Sequence, residues 1–61
     1  QLNPKDYLAY YNRGNLWYEK KEYDRAIDDY DKAIEMDPKY HSAYNNRGNA
    51  WGEKNEFNKA I

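Results

Sequence analysis

Apolar and polar positions along this 61-residue chain alternate with a helical period. From Asp6 to Lys20, Tyr10, Gly14 and Trp17 fall at i, i+4 and i+7, one stripe of an α-helix. From Tyr23 to Met36 the apolar positions are Tyr23, Ala26, Ile27, Tyr30, Ala33 and Ile34, the spacing of an amphipathic helix. Its other side carries Asp24, Asp28, Asp31, Lys32 and Glu35, with Asp24 and Asp28 towards the positive N-terminal end of the helix, where negative charge is favoured. Asp37-Pro38 ends this segment, because the residue before proline is pushed out of the helical region. The cycle then restarts, predicting a helix from about His41 to Lys54 and the opening of another at Phe57. The joints within each pair fall around Lys21 and Asn55. A residue just past a helix end often takes the left-handed conformation; Asn55 suits that role, and Lys21 tolerates it at a cost of about 1 kcal/mol relative to glycine.

The restart is a repetition. Displaced by 34 residues, 1–27 and 35–61 share 14 identities in 27 pairs, among them Ala9/Ala43, Tyr10/Tyr44, Asn12/Asn46, Arg13/Arg47, Gly14/Gly48, Asn15/Asn49 and Trp17/Trp51. A period of this size signals a solenoid whose units stack on their neighbours. Gly14 and Ala26 are the small residues where paired helices would cross, and Ala33 can serve the same purpose against the next unit.

Composition narrows the picture. Eight Tyr, two Trp and one Phe supply the bulk of a core that has no valine, and Tyr suits half-buried helix faces where the ring packs and the hydroxyl stays wet. With no cysteine, no disulfide or thiolate–metal staple is available. Ten basic against eleven acidic residues give a net charge of −1, which offers no general attraction to nucleic acid or anionic lipid. No apolar run approaches the ~20 residues a membrane span needs. The compartment stays open, with a cytoplasmic setting favoured.

The residues Tyr10, Arg13, Gly14, Trp17, Ala26, Tyr30 and Pro38, and again Tyr44, Arg47, Gly48, Trp51 and Ala60, resemble the tetratricopeptide repeat. Two positions depart from that pattern: Arg stands for Leu in both units, and Lys21 and Asn55 stand where Gly is usual. The resemblance implies an all-α fold, with antiparallel helix pairs of a 34-residue repeat stacked as a right-handed α-solenoid. It divides the chain into a tail of a preceding repeat at 1–6, one complete repeat at 7–40 and a truncated second at 41–61. It also implies a protein-interaction scaffold without catalysis, in which the first helix of each repeat lines a concave groove for a peptide or partner segment. Asn12, Asn15, Asn46 and Asn49 match groove positions, flanked by Leu8, Tyr11, Tyr18, Glu19, Ser42, Asn45 and Glu53. Asparagine is a poor helix former, so its repeated use there suggests hydrogen bonding either to a peptide backbone or between helices of the array.

Other candidates are weaker. Arg13 and Arg47 fit an inter-helix ion pair better than an anion site, and Asp29–Arg47 is the expected pair. Asn15 and Asn46 match two amide positions of the carboxylate clamp for chaperone tails, but Tyr11 occupies its first basic position. His41 stands alone, so no metal site is expected. Asp24, Asp28, Asp29 and Asp31 are dispersed around a helix rather than gathered in a loop, and read as a solvated face. No nucleophile elbow or phosphate loop is present, and no cofactor is expected. The competing functions are a structural or self-associating segment and, against the charge balance, an RNA-binding helical repeat. Because both ends look like cuts, the isolated chain is expected either to be marginally stable or to associate end to end through Tyr23, Tyr30, Ile34 and Trp51.

Overall fold

The computed structural model of the chain describes residues 6–59, with side chains through Glu56. It consists of three helices: α1 (Asp6–Glu19), α2 (Tyr23–Met36) and α3 (His41–Lys59). Pro4, Ala60 and Ile61 lie outside the described residues. The architecture is the expected all-α one, and among the described residues there is no strand.

The α1–α2 corner forms where expected. Lys21 has φ 64°, the left-handed region, while the Glu22 amide donates to the Trp17 carbonyl at 2.9 Å and the Lys21 amide to that of Tyr18 at 3.0 Å. These are the two bonds of a Schellman stop, which satisfy carbonyls that the helix end would otherwise orphan. At the other end of α2, Asp37 takes an extended conformation (φ −141°, ψ 92°) ahead of Pro38. Its amide still donates to the Ala33 carbonyl at 2.9 Å, and its carboxylate accepts from the Lys39 amide at 3.2 Å, an Asx turn that leads into α3.

The register follows from the contacts. Arg13 meets Asp29, Trp17 meets Arg25 and Tyr18 meets Tyr23, so α1 and α2 run antiparallel. Arg47 meets Asp31 and Lys54 meets Asp24, so α2 and α3 do too. Helix α2 is therefore the middle layer, and its apolar stripe carries the core: Ala26, Ile27, Tyr30 and Ala33 are all buried. Gly14 lets α1 come close. A Cβ there would lie 2.8 Å and 2.9 Å from the Tyr30 ring and 3.3 Å from the Ala26 carbonyl, the crossing of small residues read from the sequence. From the other side, Ala43 and Ala50 of α3 are buried against α2.

The second corner is a correction. Helix α3 runs unbroken through Asn55, with no turn there and no new helix opening at Phe57, and Asn55 is not left-handed. A helix stop is favourable only where the segment beyond it packs back. Past Lys21 the chain buries Ala26, Ile27 and Tyr30 against α1. Past Asn55 no described residue packs back on α3, and the helix keeps its own hydrogen bonds as far as Lys59. As a result a Cβ placed on Gly48, the counterpart of Gly14, would meet nothing within 4 Å, and Tyr44 and Trp51 are left exposed.

Candidate functional site

With 3.6 residues per turn, successive residues of a helix stand about 100° apart. On α1 this separates four faces. Tyr10, Gly14 and Trp17 point to α2, Tyr11 and Tyr18 lean towards α3, and Leu8, Asn12 and Glu19 remain exposed, as do Ala9, Arg13, Leu16 and Lys20 one step further round. On α3, Ser42, Asn45, Asn49 and Glu53 are exposed at positions equivalent to Leu8, Tyr11, Asn15 and Glu19. The exposed groove candidates are thus Leu8, Asn12, Glu19, Ser42, Asn45, Asn49 and Glu53; Tyr11, Asn15, Tyr18 and Asn46 are partly buried.

Tyr11, Asn15 and Asn46 form a hydrogen-bond network with the buried Tyr30 across all three helices. The Tyr30 hydroxyl donates to Asn15 Oδ1 at 2.5 Å. Asn46 Nδ2 donates to the same oxygen at 3.0 Å and to the Tyr11 hydroxyl at 2.9 Å. Of the two roles the sequence allowed these asparagines, Asn15 and Asn46 take the helix-to-helix one. Burial pushes the Tyr30 phenol up to about 12, with the neighbouring Tyr11 adding to the effect. Beside the network lies a small cleft of about 70 Å³, lined by Tyr18, Tyr30, Asn46 and Asn49.

Stacked tyrosines brace this face. Tyr40, at the α2–α3 corner, meets Tyr7 and Tyr11 edge-on at 5.0 Å and 5.1 Å between ring centres, and Tyr18 meets Tyr23 at 5.5 Å. Burial raises the pKa of Tyr40 and of Tyr23, the latter also through the nearby Glu53 charge.

The arginines depart from expectation. Asp29 does not pair with Arg47. Arg13 of its own helix pair holds it from two nitrogens, Nε to Oδ2 and Nη2 to Oδ1, both at 2.8 Å. Arg47 reaches Asp31 instead, through Nη1 at 2.5 Å. Asp29 lies on the α1 side of α2 and is 4% exposed, whereas Asp31 is about 200° further round, on the α3 side. The sequence offered both carboxylates but not their direction. The bidentate contact with Asp29 raises the Arg13 pKa, first through the hydrogen bonds and then through the charge. The same side chain lies over Tyr10 at 5.6 Å, as Arg47 lies over Tyr44 at 5.3 Å, so the two guanidiniums sit alike on their helices.

Of the four residues expected to carry self-association, Tyr30 is enclosed by α1 and α3, Tyr23 and Ile34 are partly covered, and only Trp51 is exposed. No helix of the described residues is long and apolar enough to cross a membrane. Among the described residues, no three His, Cys, Asp or Glu side chains gather in a group that could hold a metal ion.

Comparison with known proteins agrees with this architecture. One family model described as tetratricopeptide repeat matches residues 7–40, and a second of the same description matches 29–61. Among curated proteins the chain is similar to human "Tetratricopeptide repeat protein 6", 42% identical over 36 residues, which is 59% of this chain. The match spans only 7% of that relative's length. No solved structure matches the chain. The 34-residue period, the small-residue crossing at Gly14 and Ala26, and the family match over 7–40 lead to one assignment: the chain belongs to the tetratricopeptide repeat family.

Proposed function

We propose that this segment is a protein-interaction scaffold that binds a peptide or partner-protein segment along the groove face of α1 and α3, without chemistry of its own. Tetratricopeptide repeats generally mediate contacts between proteins. Residues 7–40 serve as one complete repeat and 41–61 as part of a second, so that α1 and α3 are equivalent first helices. The supporting observation is the division of labour among the asparagines. Asn15 and Asn46 lock α1 to α3, while Asn12, Asn45 and Asn49 stay exposed beside them with amide donors and acceptors suited to a peptide backbone. A pre-ordered polar face of this kind lowers the entropy lost on binding. Leu8, Ser42, Glu19 and Glu53 flank it, and the cleft between Tyr18 and Asn49 is small enough to take one short side chain.

The chaperone-tail clamp is a poorer fit. Tyr11, at its first basic position, accepts from Asn46, and Asn15 is occupied as well. Selection of peptides from a displayed library against the folded chain tests the groove. Enriched sequences should lose at least tenfold in affinity for an Asn12→Ala/Asn49→Ala variant. Peptides that bind the variant equally well, or no enrichment over an unrelated helical domain, would leave the segment as a purely structural one.

A further inference from the structure

Charge is distributed unevenly around α1 and α3. Their basic side chains are engaged away from the groove: Arg13 holds Asp29, Arg47 holds Asp31, and Lys54 holds Asp24 at 2.6 Å. Lys20 stands one step further round α1. The groove face keeps the neutral Asn12, Asn45 and Asn49 together with Glu19 and Glu53, all exposed. Among the described residues neither glutamate makes an ion pair. Glu53 follows Asn49 by one helical turn, a rise of about 6 Å along α3. It stands beside an aromatic floor. Tyr18 and Tyr23 meet edge-on at 5.5 Å, and the Tyr23 pKa is raised first by burial and then by the Glu53 charge. One turn back lies the cleft of about 70 Å³ that Tyr18 and Asn49 help to line.

We infer that the groove selects an extended partner segment in which a small residue, Ala or Ser, lies two positions from a Lys or Arg; this rests on the groove reading above. The small side chain enters the cleft, and the cation meets the Glu53 carboxylate beside Tyr18 and Tyr23. The cleft is too small for a long side chain. In an extended chain, residues i and i+2 point the same way about 7 Å apart, which matches the rise from Asn49 to Glu53. A carboxylate with no cation of its own, next to two tyrosine rings, suits a basic side chain. Its head group pairs with the acid and approaches the rings, while its methylene stem lies along them. An acidic side chain at the same place meets the uncompensated Glu53, with Glu19 on the same face, and is rejected. The two glutamates therefore discriminate between partners as well as attract one.

The test is the displayed-peptide selection run in parallel on the 61-residue chain and on its Glu53→Gln and Glu53→Lys variants, all matched for helicity by circular dichroism. Peptides enriched on the unaltered chain should carry Lys or Arg two positions from Ala or Ser. Synthetic copies should lose at least about fivefold in affinity when that cation is replaced by norleucine, the scale of one exposed ion pair with a cation–π contact. Glu53→Gln should cost a similar factor, and added salt should weaken binding. Glu53→Lys should turn the selection towards Asp or Glu at the same position. Enriched peptides that depend on Asn12 and Asn49 but show no basic preference would overturn this inference and leave the groove standing. A basic preference that persists on Glu53→Lys would overturn it as well. No enrichment, or enrichment indifferent to Asn12 and Asn49, would remove the groove and this inference together.

Discussion

Arg13 and Asp29 are joined by two parallel hydrogen bonds of 2.8 Å, yet the arginine side chain is 60% exposed and the carboxylate only 6%. The acid is the buried member, and the arginine supplies the donors that burial would otherwise deny it. Arg47 and Asp31 make the converse arrangement, with the carboxylate 52% exposed and able to turn to water. Loss of each arginine should therefore differ in consequence. Arg13→Met should lower the melting temperature well beyond Arg47→Met, because only the former strands a buried carboxylate. Thermal melts by circular dichroism at one salt concentration compare the two, and equal melting temperatures would contradict this account.

The two equivalent glycines should respond in opposite directions. Gly14→Ala places a methyl group against the Tyr30 ring and should cost about 1–3 kcal/mol through overpacking. Gly48→Ala meets nothing within 4 Å and should stabilise α3 by about 0.5–1 kcal/mol, since glycine is a poor helix former. Urea unfolding of both variants reads the difference, and destabilisation by both would mean that Gly48 is packed in solution.

Lys21 carries the cost of a left-handed backbone with a side chain attached. Lys21→Gly should stabilise the chain by about 1 kcal/mol, as the Schellman bonds are kept and the steric penalty is lost. An unchanged or lower midpoint of unfolding would indicate that this corner is not formed as described.

Alkaline pH should unfold the chain through its buried phenol. The folded state holds the Tyr30 proton to about 12, against an ordinary value of 10.0, so between these values it binds more protons than the unfolded chain. Stability is then intact below pH 10 and declines towards pH 12, with Tyr23 and Tyr40 shifted in the same direction. Tyr30→Phe should flatten this decline, while losing about 0.5–1.5 kcal/mol at neutral pH with the bond to Asn15. Denaturant midpoints measured from pH 8 to 12 for both proteins test it, and parallel curves would rule out Tyr30 as the source.

The extents of α1 and α2 and the corner at Lys21 were legible in the residues because each depends on neighbours within a turn or two, and the close approach at Gly14 was legible because small residues recur at the crossing positions of a repeated helix pair. Helical periodicity, proline geometry and the size of a side chain are local properties, and the 34-residue repetition states them twice. Three matters depended on packing at long range. Asp29 and Asp31 are both within reach of an arginine in sequence terms, but the rotation of α2 between its neighbours selects which arginine each receives. Asn15 and Asn46 could equally have faced a groove, until α3 settled beside α1 and brought them within 3.0 Å of each other. Asn55 carries the same local signal as Lys21, but a turn persists only when the segment beyond it finds a surface to bury, and α3 continues straight where none is at hand.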